Sequence, residues 1–281
     1  MAGRIKFIFS SRHTRTIDPH NRHRTAFPKI VSNMIKICDV VLEVIDSRFI
    51  DDSRNIEIEK LVEENGKKLV YILNKVDLVD LDKVKEEAER KNLFPYIVVS
   101  TKKEIGKGKV IERIKIEVKR ALKEKKFAIG HVGVIGYPNT GKSSLINFLT
   151  GRKDARTSQQ SGFTRGVQKI KLAKGIMLLD TPGVLPLKEN ATKNMEDLKK
   201  EAKMNVRTYD KVKNPELIVF ELMKENPGLF EKYYGIDSKK SEILIEKIGR
   251  KNHFLTKGNK VDFDRTARMI LKDWQQGKIR K

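Results

Sequence analysis

Short apolar runs alternate with charged segments of helical spacing through the first half of the chain, and no other sequence feature constrains the fold as strongly. The runs are VVLEVID at 40–46, KLVYILNKVD at 68–77 and YIVVS at 96–100, and a further run, HVGVIGY at 131–137, follows the amphipathic segment 107–126. Helices between such runs are the crossover connections that parallel strands need. The sequence therefore predicts an α/β fold with a doubly wound, mostly parallel sheet.

The pattern changes after Pro186, where strand signals give way to helix signals. Just before this point, VQKIKLA and GIMLLD predict two paired strands. Beyond it, Asn214-Pro215 and Asn226-Pro227 are typical of helix starts. We expect four parts, which are a basic N-terminal arm at 1–25, an α/β domain at 26–187, a linker or solvated helix at 188–204 and a small all-helical domain at 205–281.

The charge balance predicts a polyanionic partner. The 281 residues include 60 Lys and Arg against 37 Asp and Glu, which gives a formal net charge of +23. Such an excess favours phosphate contacts and the release of counterions. A nucleic acid fits it better than an anionic membrane, because no lipidation signal or strongly apolar amphipathic helix accompanies the charge.

Cysteine usage and hydropathy predict the compartment. The single cysteine, Cys38, excludes an internal disulfide and a zinc cluster, so we expect a cytoplasmic location. No stretch reaches the roughly 18 apolar residues of a membrane-spanning helix, and the basic start lacks the apolar core of a secretory signal. We therefore expect no membrane partner, and nothing in the sequence indicates a homo-oligomer.

A phosphate-binding loop is predicted at 136–143, where GYPNTGKS fits the pattern G-x-x-x-x-G-K-[ST] between an apolar strand and an amphipathic helix. Glycines let backbone N–H groups close around phosphate oxygens, and the helix start adds partial positive charge. Lys142 is expected to reach the β- and γ-phosphates and Ser143 to ligate Mg²⁺. The nucleotide-binding residues expected from this loop are Asn139, Thr140, Gly141, Lys142, Ser143 and Ser144.

A second motif, Asp180-Thr181-Pro182-Gly183, ends the apolar run IMLL. A carboxylate at a strand end is typical of a residue that holds Mg²⁺ through water, and we expect that role for Asp180 and a γ-phosphate contact for the Gly183 amide. Alone, this tetrapeptide is an ordinary turn. Its place one hairpin after the phosphate loop favours the nucleotide role.

Asn74-Lys75-Val76-Asp77, at the end of another strand, resembles the base-reading motif of GTPases. A carboxylate at Asp77 can accept from guanine N1 and the exocyclic amine, whereas adenine lacks that donor pair, so the motif favours GTP over ATP. Ser100-Thr101-Lys102, just past the next strand, resembles the weaker second base-contacting motif.

These motifs stand in a permuted order, since the base-reading residues precede the phosphate loop. The order is that of the circularly permuted GTPases, and the chain resembles the YlqF/RbgA type, which are assembly factors of the large ribosomal subunit. Asp46-Ser47-Arg48 stands where this family has an Asp-Ala-Arg signature, and YYGID and VDFDRTARMILKDWQQGKI near the C-terminus extend the resemblance. It implies that 26–187 is the GTPase domain and that 205–281 binds RNA.

The resemblance implies an enzyme that binds GTP and GDP with Mg²⁺ and acts on a large-subunit precursor and its rRNA. The segment after Asp180 to Gly183 responds to the γ-phosphate and runs into the helical domain, which predicts that nucleotide state controls RNA binding. Two alternatives stay open. One is a GTPase of the small subunit or tRNA, and the other is a GTP-gated RNA-binding scaffold whose hydrolysis is incidental.

Val184 follows the second motif where many GTPases carry a water-orienting Gln, so we expect slow turnover in isolation. The resemblance supplies other groups. Asn139 matches a loop residue that holds an activating K⁺, and His23 matches a water-positioning histidine, although an RNA-facing role is an equal alternative for it. Thr164, as the switch threonine, would complete the Mg²⁺ coordination. The expected catalytic set is therefore His23, Asn139, Lys142 and Thr164, with stimulation by K⁺ and ribosomal particles.

Overall fold

The computed structural model describes residues 26–123, 129–151, 168–180, 200–204, 208–238 and 240–279. Its main sheet contains β1 (Val40–Asp46), β2 (Lys68–Asn74), β3 (Tyr96–Val98), β4 (Gly130–Ile135), β5 (Gln168–Ala173) and β6 (Ile176–Asp180). The strand order is β3-β2-β1-β4-β6-β5, and all neighbours are parallel except β5 and β6, whose predicted pairing is antiparallel. The predicted doubly wound, mostly parallel α/β sheet is therefore confirmed.

Helices cover both faces of this sheet. They are α1 (Ala26–Ile37), α2 (Ile50–Ser53), α3 (Ile56–Glu64), α4 (Leu81–Arg90), α5 (Lys107–Ala121) and α6 (Lys142–Thr150), with a 3₁₀ turn at Val76–Leu78. Leu42 and Val44 of β1 pack with α5 and α6, whereas Val41 packs with α1. Every residue of β1 is buried, as expected for a parallel strand between two helix layers.

The carboxyl ends of the central strands meet at one edge of the sheet. Asp46 of β1 pairs in register with Asn74 of β2, and Val134 of β4 pairs with Asp180 of β6. The chain winds outward from β1 through β2 to β3, and then from β4 towards the opposite edge, so the winding reverses between β1 and β4. Open α/β sheets bind ligands at such a reversal.

The C-terminal helices enclose a second core. They are α7 (Pro215–Glu225), α8 (Leu229–Tyr234), α9 (Ser241–Lys251) and α10 (Phe263–Gln275), preceded by a 3₁₀ turn at Tyr209–Lys211. Buried Trp274 and Phe230 stack in this core with ring centroids 5.6 Å apart. Phe49 and Tyr137, from the α/β part, join the same core. The two parts of the molecule therefore share a packed junction.

Two features of this region differ from the sequence prediction. β7 (Leu255–Thr256) and β8 (Lys260–Val261) form an antiparallel hairpin between α9 and α10, where only helices were expected. Strands of two residues are too short to show an alternating pattern. Residues 200–203, in the segment expected to be a linker or a solvated helix, are helical, but Ala202 and Met204 are buried in the C-terminal core rather than solvated. In the part of the chain that the structure describes, every helix is too short or too polar to span a membrane.

Candidate nucleotide-binding site

The phosphate loop connects β4 to α6 in a conformation that requires its glycines. Gly136 and Gly141 have φ of +144° and +101°, and Asn139, with φ of +62°, adopts the left-handed conformation that asparagine tolerates. A Cβ on Gly141 would lie 2.3 Å from Asn74 Nδ2, and one on Gly136 would lie 2.5 Å from the carbonyl oxygen of Val44. The loop can therefore pass close to β1 and β2 only with glycine at both positions.

Lys142 begins α6, and its ammonium group folds back over the loop. Nζ donates to the carbonyl oxygens of Gly136 (3.0 Å) and Tyr137 (2.8 Å). Burial lowers the pKa of Lys142 to about 8, although the nearby Asp180 charge opposes this shift. A desolvated cation thus lies at the N-terminus of α6, where helix geometry also favours an anion.

Asn74 joins the two predicted base-contacting motifs to the phosphate loop. Its Nδ2 donates to the carbonyl oxygen of Thr140 (2.9 Å), and its Oδ1 accepts from the backbone N–H of Thr101 (3.3 Å). Asn74 is almost fully buried, so these hydrogen bonds are shielded from water. Segments far apart in the sequence are therefore fixed against one another by one side chain.

Asp77 is oriented by the second motif. Its Oδ1 accepts a hydrogen bond from Ser100 Oγ (2.6 Å), and the same hydroxyl oxygen accepts from the backbone N–H of Lys103 (3.0 Å). Lys75 turns the chain after β2 because it adopts a left-handed conformation with φ of +65°. The carboxylate of Asp77 thus stands at the end of β2 in a fixed direction.

Lys75, predicted only as part of the base-reading motif, also takes part in a charged group with Asp46 and Arg48. Its Nζ donates to the carbonyl oxygen of Asn139 (2.7 Å) and to Asp46 Oδ2 (2.7 Å). Arg48 Nη2 donates to the same oxygen of Asp46 (2.8 Å), and Arg48 Nε donates to Oδ1 (3.0 Å). Burial favours a raised pKa for Asp46, but the charges of Arg48 and Lys75 outweigh it and hold the pKa well below its ordinary value.

The structure describes only some of the other predicted site residues. Asp180 is buried at the end of β6, and Ser143 and Ser144 lie in the first turn of α6. His23, Thr164 and Gly183 lie outside the described residues, so their expected roles stay predictions.

The donor set fits a nucleotide with a divalent cation. The backbone N–H groups at the start of α6 and the desolvated ammonium of Lys142 suit phosphate oxygens. The hydroxyl of Ser143 and the carboxylate of Asp180 supply the oxygen ligands that Mg²⁺ prefers. Fold and site together define a P-loop nucleotide-binding protein whose base-side motif precedes its phosphate loop.

Comparison with known proteins identifies the family. Residues 14–189, more than half of the chain, match the family model described as RsgA GTPase, and residues 131–255 match the model of the 50S ribosome-binding GTPase. Two structures of T. maritima YlqF, one bound to GDP and one to GNP, align with TM-scores of 0.60 and 0.59 at 25% and 26% identity. They cover 89% and 90% of this chain and are themselves covered to 96% and 94%. The chain belongs to the circularly permuted GTPases of the YlqF type, within the family of the RsgA GTPase domain.

Relatives among the curated proteins include one from an archaeon and several from eukaryotes. A GTP-binding protein of Methanocaldococcus jannaschii is 39% identical over 89% of this chain, and Nucleolar GTP-binding protein 2 of Neurospora crassa is 33% identical over 88%. A guanine nucleotide-binding protein-like protein of Arabidopsis thaliana is 30% identical over 94%. The chain spans 65%, 40% and 49% of the lengths of these three relatives, respectively.

Proposed function

We propose that this protein binds GTP and hydrolyses it to GDP and phosphate. The observation that carries the proposal is the pair of hydrogen bonds made by Asn74, which joins the base-side motif to the phosphate loop. Because Ser100 fixes Asp77 beside this pair, a carboxylate is available to accept from a guanine N1–H and amine. An adenine would leave that carboxylate unpaired, which is the basis of the proposed guanine specificity.

Different residues of the site have different roles in nucleotide binding. Lys142 and the start of α6 hold the phosphates, and Thr140 and Gly141 bring the loop backbone close to them. Ser143 and Asp180, the latter through water, would hold Mg²⁺, and the bound ion would neutralise charge on the phosphates. Ser144 completes the phosphate contacts from the first turn of α6, and Thr101 fixes the base-side loop through its backbone.

Hydrolysis needs a group that orients the attacking water, and the aliphatic side chain of Val184 cannot do so, so another residue must. We propose His23 for this role, with Thr164 as a Mg²⁺ ligand in the GTP state. Asn139 is proposed to hold an activating K⁺ beside the phosphates. The turnover of the protein alone is then slow and rises when a partner positions these groups.

The proposed partner is a precursor of the large ribosomal subunit. Support comes from the description of one matching family model as a 50S ribosome-binding GTPase and from relatives whose names place them in the nucleolus. The expected cytoplasmic location stays a prediction, and the nucleolar names of these eukaryotic relatives do not support it. Coupling of nucleotide state to rRNA binding would pass through the C-terminal helices.

The C-terminal surface supports RNA as the ligand of this region. We define the basic hairpin as residues 250–260, in which ten of the eleven residues are exposed. It contains Arg250, Lys251, Lys257 and Lys260 and no acidic residue. Nearby, the guanidinium of Arg265 lies 4.3 Å from the ring centroid of Phe254. Exposed cations of this kind suit the phosphate backbone of folded RNA.

The test is the GTP hydrolysis rate in KCl and in NaCl, each with and without large ribosomal subunits. We expect a low basal rate that rises with K⁺ and rises further with large subunits, but not with small subunits or tRNA. A folded protein that binds GTP without hydrolysing it in any of these conditions would contradict the enzymatic role and favour the scaffold. Stimulation by small subunits alone would contradict the proposed partner.

A further inference from the structure

A chain of polar contacts, partly buried at Lys75 and buried at Asp46 and Arg48, connects the phosphate loop to the last helix of the C-terminal region. It starts at the Asn139 carbonyl, which accepts from Lys75, and continues through Asp46 to Arg48. Arg48 Nη1 then donates to the carbonyl oxygen of Trp274 (3.3 Å), across 226 residues of sequence. The side chains of Asp46 and Arg48 are only 2% and 3% exposed, so water screens this path little.

Asp46 is the shared element of this path. Both of its oxygens accept hydrogen bonds from Arg48, and Oδ2 also accepts from Lys75. A buried carboxylate between two cations depends on both, because the loss of one partner leaves a charge that is incompletely compensated. The position of the Lys75 ammonium therefore depends on the position of the Arg48 guanidinium.

Arg48 is in turn held by the C-terminal region. Its guanidinium lies 5.1 Å from the ring centroid of Phe49, and that ring lies 5.7 Å from the ring of Trp274. The Trp274 carbonyl belongs to the last turn of α10, where the helix dipole favours a cation. Indole Nε1 of Trp274 donates to the carbonyl oxygen of Lys203 (3.2 Å), which anchors the ring from the other side.

We propose that Arg48 is a positioning residue, which holds Lys75 against the phosphate loop through Asp46 and thereby couples nucleotide binding to the packing of α10. The proposal rests on the proposed nucleotide site and names a route of regulation separate from the segment that follows Asp180. Coupling of this kind is reciprocal, so a nucleotide that alters the contacts of Lys75 must also alter the junction around Trp274.

GDP affinity tests the positioning role. In the 281-residue chain, Arg48→Met is expected to raise the Kd for GDP about tenfold, and Arg48→Lys about threefold, since lysine restores the charge but not the bidentate contact. Arg48→Met should add nothing to the effect of Lys75→Met, because Arg48 acts through Lys75. Arg54→Met is the matched control, since the Arg54 guanidinium also pairs with a carboxylate through two hydrogen bonds, to Glu59 (2.9 and 2.7 Å). It should leave the Kd within about twofold.

The fluorescence of Trp274, the single tryptophan, tests the coupling. We expect GDP to change its emission with the same concentration dependence as binding, and Arg48→Met to reduce that change. Tight binding without any change in emission would overturn the coupling.

An unchanged Kd in folded Arg48→Met would overturn the positioning role, and so would an Arg48→Met effect of equal size in the wild-type protein and in the Lys75→Met variant. If Arg48→Met does not fold, the same cycle with Arg48→Lys gives these outcomes. Failure of the wild-type protein to bind GDP would instead contradict the proposed function itself.

Discussion

Lysines serve opposite purposes in the nucleotide site and in the basic hairpin. In the site, Lys75 and Lys142 each donate to two oxygens, and burial lowers the pKa of both. In the basic hairpin, Lys260 lies in β8 and Lys257 directly follows β7, and both side chains are exposed. A buried cation must have one geometry to repay its desolvation, whereas an exposed one attracts anions over a distance and tolerates change. Substitutions should therefore have large, specific effects in the first region and small, salt-dependent ones in the second.

The largest expected effect on stability lies at the junction. Trp274 is 1% exposed and contacts both Phe49 and Phe230. Trp274→Ala should lower the free energy of unfolding by about 3–5 kcal/mol, because it opens a cavity between the two parts of the molecule. The control is Leu255→Ala in the hairpin, where the residue is 39% exposed and the expected change is under about 0.5 kcal/mol. Denaturant unfolding would measure both, and equal losses would contradict the contrast between the regions.

Lys142→Met should weaken GDP binding by about a hundredfold, since it removes a charge-assisted contact to phosphate from a desolvated site. Lys257→Met, the same substitution in the hairpin, should change the affinity by less than about twofold. Titration of each variant with a fluorescent GDP analogue gives the two constants. A loss of similar size in both variants would mean that overall charge, rather than the geometry of the site, determines binding.

The pH dependence of GDP binding should show a smaller effect, whose sign follows from the pKa of Lys142. Because burial lowers the pKa of Lys142 to about 8, Lys142 is neutral in a fraction of the protein molecules at pH 8. Phosphate favours the charged form, so GDP binding should take up about half a proton at pH 8, and the Kd should rise about fourfold between pH 7 and pH 8.5. Calorimetry in two buffers of different ionisation enthalpy measures the uptake. Zero uptake at pH 8 would show that Lys142 is already fully charged before binding.

Substitutions in the basic hairpin should have the smallest effect, which is expected mainly in the salt dependence of RNA binding. The double substitution Lys257→Ser and Lys260→Ser should reduce the slope of log Kd against log salt for large-subunit rRNA by about one to two. GDP affinity should not change. Lys60→Ser with Lys83→Ser removes two exposed lysines from α3 and α4 and serves as the control. An equal loss of slope in both double variants would show that RNA contacts are spread over the surface rather than concentrated in the hairpin.

Sequence reasoning predicted the parts of the molecule that local patterns encode. The apolar run at 40–46 coincides with β1, and the strand-end motifs at Asn74 and Asp180 lie at the same edge of the sheet because parallel strands end there together. The link from Arg48 to Trp274 was missed, since it joins residues 226 positions apart and depends on how the C-terminal helices pack. The hairpin was missed because two-residue strands carry no periodicity.

Competition between GDP and ADP is the sharpest test of guanine nucleotide binding at the edge of the sheet. We expect the 281-residue chain with Mg²⁺ to bind GDP at least about a thousandfold more tightly than ADP, because adenine leaves the Asp77 carboxylate unpaired. Asp77→Asn should remove most of this preference without unfolding the protein. Equal affinity for GDP and ADP, or a preference that survives Asp77→Asn, would show that Asp77 does not read guanine at this site.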